Sequence, residues 1–233
     1  MLSMKEIIKK TLTYRFLYAP YMGAKRLKIT KGRHEVLMRE GVSLLRAFAN
    51  CMNSVSIPYW LEFGTLLGAY RDGDFIQNDF DIDVGVYLKD AHKVYHTLLE
   101  NGFKLLREFH VVGENGLEQT FEYHGLTIDV MYFYEDEGLY WCNGVATLPK
   151  TYDKVEQLRA TAHWFKPFGT STMDFKGLHV SIPDNVEEHL IEIFGTGFRK
   201  YDPHFPGDLN KIYYLEDEKK AIGFKMKLNT IKK

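Results

Sequence analysis

Residues 78–86 read Asn-Asp-Phe-Asp-Ile-Asp-Val-Gly-Val, with Asp79, Asp81 and Asp83 two apart and Phe80, Ile82, Val84 and Val86 between and after them. Two architectures accept such a run. A calcium loop of the EF-hand type also opens with oxygen ligands at its first, third and fifth positions, but it needs Gly at the sixth and Glu at the twelfth. Counted from Asp79, those positions hold Val84 and Asp90. A β-strand alternates its side chains between two faces and turns the same run into one acidic face and one buried face. Acids are depleted in strands, so a merely solvated strand edge accounts poorly for three of them in five residues. Asp81 and Asp83 on such a strand start about 6.5–7 Å apart. Carboxylates that close raise one another's pKa unless a cation lies between them. Hard oxygen donors on a rigid strand suit Mg²⁺ or Mn²⁺, ions that serve phosphate chemistry.

The flanking sequence places this strand within a mixed α+β pattern. Residues 34–53 carry Val36, Leu37, Gly41, Leu44, Leu45, Phe48 and Met52 at helical spacing, which predicts a core-facing helix. The run Val55–Phe63 reads as a strand. Gly64-Thr65 follows, with Thr65 expected to cap a short helix through Tyr70, and residues 71–78 read as loop. Asp90 is expected to cap a helix ending at Asn101-Gly102, and residues 103–109 to form a strand. Residues 118–134 predict two strands about a turn at His124-Gly125, with Thr127, Asp129 and Met131 on one face of the second. Residues 171–183 predict a hairpin, and Asp184 is expected to open a helix that Gly195 closes. No internal repeat or low-complexity linker divides the chain. One α+β domain over residues 34–205, a basic extension over 1–33 and a Lys-rich extension over 206–233 is the economical reading.

Charge narrows the partners. Residues 1–33 hold nine Lys or Arg and one acid, residues 219–233 hold six Lys and no acid, and residues 34–218 hold 15 bases against 30 acids. An acidic body without a basic stripe argues against nucleic acid. The basic N-terminal segment, with Ile7, Ile8, Leu12, Phe16, Leu17 and Tyr18, suits peripheral contact with an anionic membrane surface. The Lys-rich end reads as a frayed tail. Cys51 and Cys142 alone make neither a disulfide framework nor a zinc site, and a reducing, cytoplasmic compartment is expected. No stretch approaches the roughly 18 apolar residues of a membrane span, and the first residues lack the apolar region of a signal peptide.

Other candidates carry less. His92 and His96 have metal-ligand spacing on a helix but lack the Glu of an H-E-x-x-H motif, so they read as surface histidines. Gly195-Thr196-Gly197 follows a helix and reads as its C-terminal cap. Trp60 and Trp164 read as core aromatics, and Trp141 is expected in an irregular segment where it could line a pocket. Lys150 reads as a solvated loop lysine. Gly64-Thr65 at a strand-to-helix turn offers backbone N–H groups and a hydroxyl to a phosphate, and Arg71 adds a fork of donors.

Together these pieces, Gly-Thr, a short helix, Asp-hydrophobic-Asp and a later strand bearing Asp129, resemble the nucleotidyltransferase fold. More closely, Gly64-Thr65-Leu66-Leu67-Gly68-Ala69, Arg71, Ile76 and the alternating Asp residues resemble the signature of the LicD family of phosphotransferases. That family includes bacterial phosphocholine transferases and the animal fukutin and fukutin-related proteins. Similarity extends through residues 126–134, 175–183 and 189–198, so it covers roughly residues 34–205. The chain departs from the family in having Gln77-Asn78 where Pro-Trp is usual, and in lacking the cysteine-containing zinc element of the fukutin-related branch; it looks like a minimal, bacterial-type member. The resemblance implies a mixed sheet with flanking helices and transfer of a phospho-alcohol (phosphocholine, phosphoribitol or phosphoglycerol) from a CDP-activated donor to a glycan hydroxyl. Asp81 and Asp83, with Asp79 and Asp129, are implied as ligands of Mg²⁺ or Mn²⁺, Asp129 as third ligand or base. Gly64, Thr65 and Arg71 are implied as phosphate-binding residues. Two alternatives share the fold: a nucleotidyltransferase that acts on an NTP, and a non-catalytic metal-stabilised module that binds glycan or membrane.

Overall fold

The computed structural model describes residues 19–77, 79–111, 116–146, 158–200, 213–214 and 220–225. Helix α1, Ala19–Ser54, includes the predicted amphipathic stretch and runs unbroken across position 33/34. Its predicted face is the buried one: Leu37, Leu44, Leu45, Phe48 and Met52 are all fully or almost fully buried. Each such side chain contributes on the order of 1.5–3 kcal/mol to folding. Strand β1, Tyr59–Leu61, is shorter than the apolar run around it, because Glu62 leaves the strand to cap helix α2, Phe63–Leu67. A π-helical turn, Gly68–Asp72, continues α2 and ends at Gly73 in the left-handed region.

The remaining elements are β2 (Ile82–Tyr87), α3 (Ala91–Glu100), β3 (Lys104–Val111), β4 (Leu117–Tyr123), β5 (Leu126–Asp136), β6 (Leu139–Ala146), β7 (Leu158–Phe165), β8 (Thr170–Phe175), β9 (Leu178–Pro183), α4 (Val186–Phe194), β10 (Tyr213–Tyr214) and β11 (Lys220–Lys225). Among the described residues nine strands form one mixed sheet in the order β1-β2-β5-β4-β3-β11-β7-β10, with β6 bridging β5 and β7. Only β2 and β5 of this sheet run parallel, and their register sets Asp83 beside Asp129. Strands β8 and β9 form the predicted hairpin. The turns His124-Gly125 and Lys176-Gly177 have positive φ at both residues, the backbone that two-residue hairpins require.

Even-numbered side chains of β2 and β5, among them Val84, Val86, Ile128 and Val130, join the core that also contains Leu37, Leu44, Val94 and Leu98 of α1 and α3. The odd-numbered side chains face the other way, where Trp60, Met131, Phe133, Phe165 and Ile193 make a second core. Asp83 and Asp129 lie at the end of that second face.

Several local expectations are corrected. Asp90 makes no side-chain capping bond; residues Leu88–Asp90 form a 3-10 turn leading into α3. Asp184 gives its carboxylate to the Gly169 N–H, 3.0 Å away, and Asn185 takes the cap position of α4. Trp141 is not in an irregular segment: it lies in β6 and stacks between Tyr134 and Trp164, centroids 4.4 and 5.7 Å away. Residues 220–225 are not a frayed tail, since β11 pairs with β3 and β7 and so satisfies backbone groups of both. Residues 1–18 and Lys150 lie outside the described residues.

Candidate active site

Strand β2 begins only at Ile82, so Asp79 and Asp81 lie in the approach to it and Asp83 lies within it. Freed from strict alternation, the chain bends so that one carboxylate oxygen from each of Asp79, Asp81 and Asp83 falls within 4.8 Å of the others. Strand spacing alone would have left Asp79 at the edge; the bend makes it a full member. It is held by its own backbone, its N–H donating to the Ile76 carbonyl at 3.2 Å and its carbonyl accepting from His34 Nδ1–H at 2.8 Å.

Helix α2 fixes the third acid. The Asp83 N–H donates to Thr65 Oγ1 at 2.9 Å, and the Asp83 carbonyl accepts from the Glu62 N–H at 3.0 Å. Thr65 is therefore not the helix cap but a buried tether inside the helix, 0% exposed. Gly64 sits against the trio. A Cβ on it would lie 2.8 Å from Asp79 Oδ2 and 3.6 Å from Asp83 Oδ2, so only glycine leaves that cradle open. Arg71 is engaged elsewhere: its fork holds both carboxylate oxygens of Asp72, at 2.7 and 2.6 Å, and its Nη1 donates to the Phe198 carbonyl. It latches the π-helical turn to the segment after α4.

Asp129 stands one strand away and is not among the three that converge. Its Oδ2 accepts from Arg107 Nη2 at 2.9 Å, while its Oδ1 is buried with no hydrogen-bond partner among the described residues. Arg107 also donates to Thr120 Oγ1 at 2.6 Å and approaches Glu118 at 4.0 Å. Asp83, Asp129, Thr120 and Arg107 thus form a row across β2, β5, β4 and β3. A register shift between Leu105 and Arg107 aims Arg107 into that row. No local pattern in the sequence marks a bulge whose purpose lies two strands away.

The electrostatics follow from this crowding. Burial first, then the neighbouring acids Asp129 and Asp79, push Asp81 up to about 8. Burial first, then Asp81, Asp79 and Asp129, raise Asp83 well above the carboxylate range, and burial raises Asp79. Burial alone would lower the Arg107 pKa, but Asp129, Glu118 and Asp81 outweigh it and raise the value. A set of oxygen-only donors that burial and mutual repulsion push toward the neutral form has the chemistry of a site for a hard divalent cation. The unpartnered Asp129 Oδ1 and the open cradle at Gly64 fit the same reading.

Behind the site lies a buried network that the sequence did not reveal. Glu62, 0% exposed, accepts from Trp60 Nε1 at 2.8 Å and from His189 Nε2–H at 2.8 Å. His189, 127 residues away, stacks on Phe165 with centroids 4.2 Å apart. An acid in the apolar run Trp60-Leu61-Glu62-Phe63 was its one visible sign. His92 and His96 are exposed, as expected. An open depression of about 430 Å³ between α3, β3 and β4, lined by His92, Tyr95, Glu108 and Gln119, lies on the opposite sheet face, since Gln119 alternates with Thr120.

Over 167 residues the chain is 29% identical to the mouse (Mus musculus) ribitol 5-phosphate transferase FKRP, a match covering 69% of this chain and 32% of that protein. Over 158 residues it is 29% identical to the human (Homo sapiens) ribitol-5-phosphate transferase FKTN, covering 67% of this chain and 32% of that one. The chain therefore spans about a third of the length of the curated relatives it matches. Among solved structures, the lincosamide antibiotic adenylyltransferase LnuA aligns with a TM-score of 0.41 at 16% identity, over 63% of this chain and 82% of that one, a likeness too slight to carry an argument. Residues 56–185, which contain the acid trio, Gly64, Arg107 and Asp129, match the family described as LicD/FKTN/FKRP, nucleotidyltransferase domain, and the chain belongs to that family.

Proposed function

We propose that the protein transfers a phospho-alcohol from a CDP-activated donor to a sugar hydroxyl of a cell-surface glycan. The single observation that supports this most is the convergence of Asp79, Asp81 and Asp83 within 4.8 Å, next to Gly64 and one strand from Asp129. The relatives named as ribitol 5-phosphate transferases point to the same class of reaction. Asp79, Asp81 and Asp83 hold Mg²⁺ or Mn²⁺, which when bound neutralises the donor diphosphate and makes the cytidine phosphate a better leaving group.

The chain's own residues supply position and a proton acceptor. Thr65 and Glu62 hold Asp83 by its backbone, and Gly64 lets the diphosphate approach without a side chain between. Arg107 holds Asp129 by Oδ2 and leaves Oδ1 to accept the proton of the acceptor hydroxyl. That hydroxyl oxygen attacks the phosphorus bearing the alcohol, the bond from this phosphorus to the bridging oxygen breaks, and CMP leaves with the bridging oxygen. The basic segment 1–33 brings the protein to a membrane surface where a lipid-linked acceptor is held.

Incubation with CDP-ribitol, CDP-choline and CDP-glycerol, and separately with nucleoside triphosphates, tests this against its alternatives. CMP release dependent on Mg²⁺ and acceptor is the expected result. Pyrophosphate release from a triphosphate would instead make the protein a nucleotidyltransferase, and neither product would make it a binding module.

A further inference from the structure

We propose that Arg33, whose guanidinium lies over the Phe80 ring, grips the diphosphate of the incoming donor at the open rim of the acid trio. The proposal deepens the transfer reading and rests on it for the identity of the donor. The Arg33 guanidinium carbon lies 4.2 Å from the centre of the Phe80 ring, and Nη2 donates to Thr127 Oγ1 at 3.2 Å. Phe80 is the residue between Asp79 and Asp81, and Thr127 precedes Asp129 by two on β5, hence on the same sheet face. The guanidinium is thus held between the residue that separates Asp79 from Asp81 and the residue two before Asp129. The next residue, His34, pins this point of α1 to the Asp79 carbonyl without using Arg33.

Commitment separates Arg33 from the other arginines near the site. Arg107 is spent on Asp129 and Thr120, and the fork of Arg71 on Asp72 and Phe198. Arg33 is exposed and makes one hydrogen bond among the described residues, to Thr127. The ring contact and the one hydrogen bond leave most of the five guanidinium N–H donors free, enough to meet two phosphate oxygens at once. Three carboxylates and one divalent cation leave the rim negative, so an anionic diphosphate needs a further positive charge there, whereas a neutral sugar hydroxyl does not. Arg33 lies outside the matched residues 56–185, so the preceding helix α1, not the family domain, provides this contact.

Calorimetric titration of the full chain with Mg²⁺ alone, with Mg²⁺ and inorganic pyrophosphate, and with Mg²⁺ and CDP-ribitol tests the proposal on wild type, Arg33→Gln, Arg33→Lys and Phe80→Leu. Arg33→Gln is expected to weaken pyrophosphate about tenfold or more while Mg²⁺ alone binds within about twofold of wild type; Arg33→Lys recovers only part, because an ammonium cannot make the planar two-point contact. Phe80→Leu should weaken pyrophosphate too, and with a working assay the donor KM should rise about tenfold in Arg33→Gln with kcat within about threefold. Unchanged pyrophosphate affinity in Arg33→Gln, an equal loss of Mg²⁺ binding, or a wild type that binds no pyrophosphate overturns the proposal. A wild type that binds pyrophosphate through Arg33 but no CDP-alcohol leaves the grip standing and removes the transfer reading instead.

Discussion

Replacing Asp81 with Asn should stabilise the metal-free protein at neutral and alkaline pH while abolishing turnover. Asp81 is raised from the ordinary carboxylate value of 3.8 to about 8, by burial first and then by Asp129 and Asp79. A carboxyl whose folded value lies above its unfolded one favours folding at low pH, and that contribution is lost as pH climbs toward 8. At about 1.4 kcal/mol per pH unit, the interval sets a ceiling of roughly 6 kcal/mol. Asp81 is only half-buried, so solvent screening reduces the effect to about 2 kcal/mol. For a chain of this size that is a difference of roughly 4–8 °C in Tm. Thermal melts in EDTA from pH 5 to pH 9 should show wild type losing stability as pH rises, and Asp81→Asn losing less. Adding Mg²⁺ at pH 8 should restore wild type and leave the variant nearly unmoved. A wild-type Tm that is flat or rising between pH 5 and 8 in EDTA, or an Asp81→Asn protein that melts lower than wild type at pH 8, would refute the crowded-carboxylate account.

Gly64→Ala should keep or slightly raise Tm, because alanine favours a helix by about 1 kcal/mol, yet reduce Mg²⁺ affinity and turnover by roughly a hundredfold as its Cβ displaces Asp79 Oδ2; Mn²⁺ titration with a parallel melt checks both halves. Arg107→Met strips Asp129 of its partner and should cost about 1–3 kcal/mol in denaturant unfolding; adding Asp129→Asn should recover stability but not activity, and independent, additive losses would show that the pair is not coupled. Vesicle pelleting should show binding to anionic but not zwitterionic lipid, weakened by salt and lost on deleting residues 1–33, since each Lys or Arg near such a surface is worth about 1 kcal/mol; equal binding by the truncated protein would exclude that segment as the anchor.

Local physics was readable along the chain. The amphipathic stretch 34–53, the alternation from Ile82 to Val86, the two-residue turn at His124-Gly125 and the hairpin within 171–183 each depend on neighbours a few residues away, and periodicity with turn chemistry exposes them. The acids were legible because carboxylates are out of place on a half-buried strand. Tertiary structure decided what those acids meet. The parallel register sets Asp83 beside Asp129 across 45 intervening positions, a bulge in β3 aims Arg107 at the pair, and Thr65 turns from a helix cap into a tether because Asp83 supplies the N–H it accepts. Glu62 finds His189 only because α2, which it caps, and α4 pack together. A buried charge must be partnered, and the partner that satisfies it is chosen by which strands and helices lie adjacent in space; short-range sequence pattern carries no record of that choice.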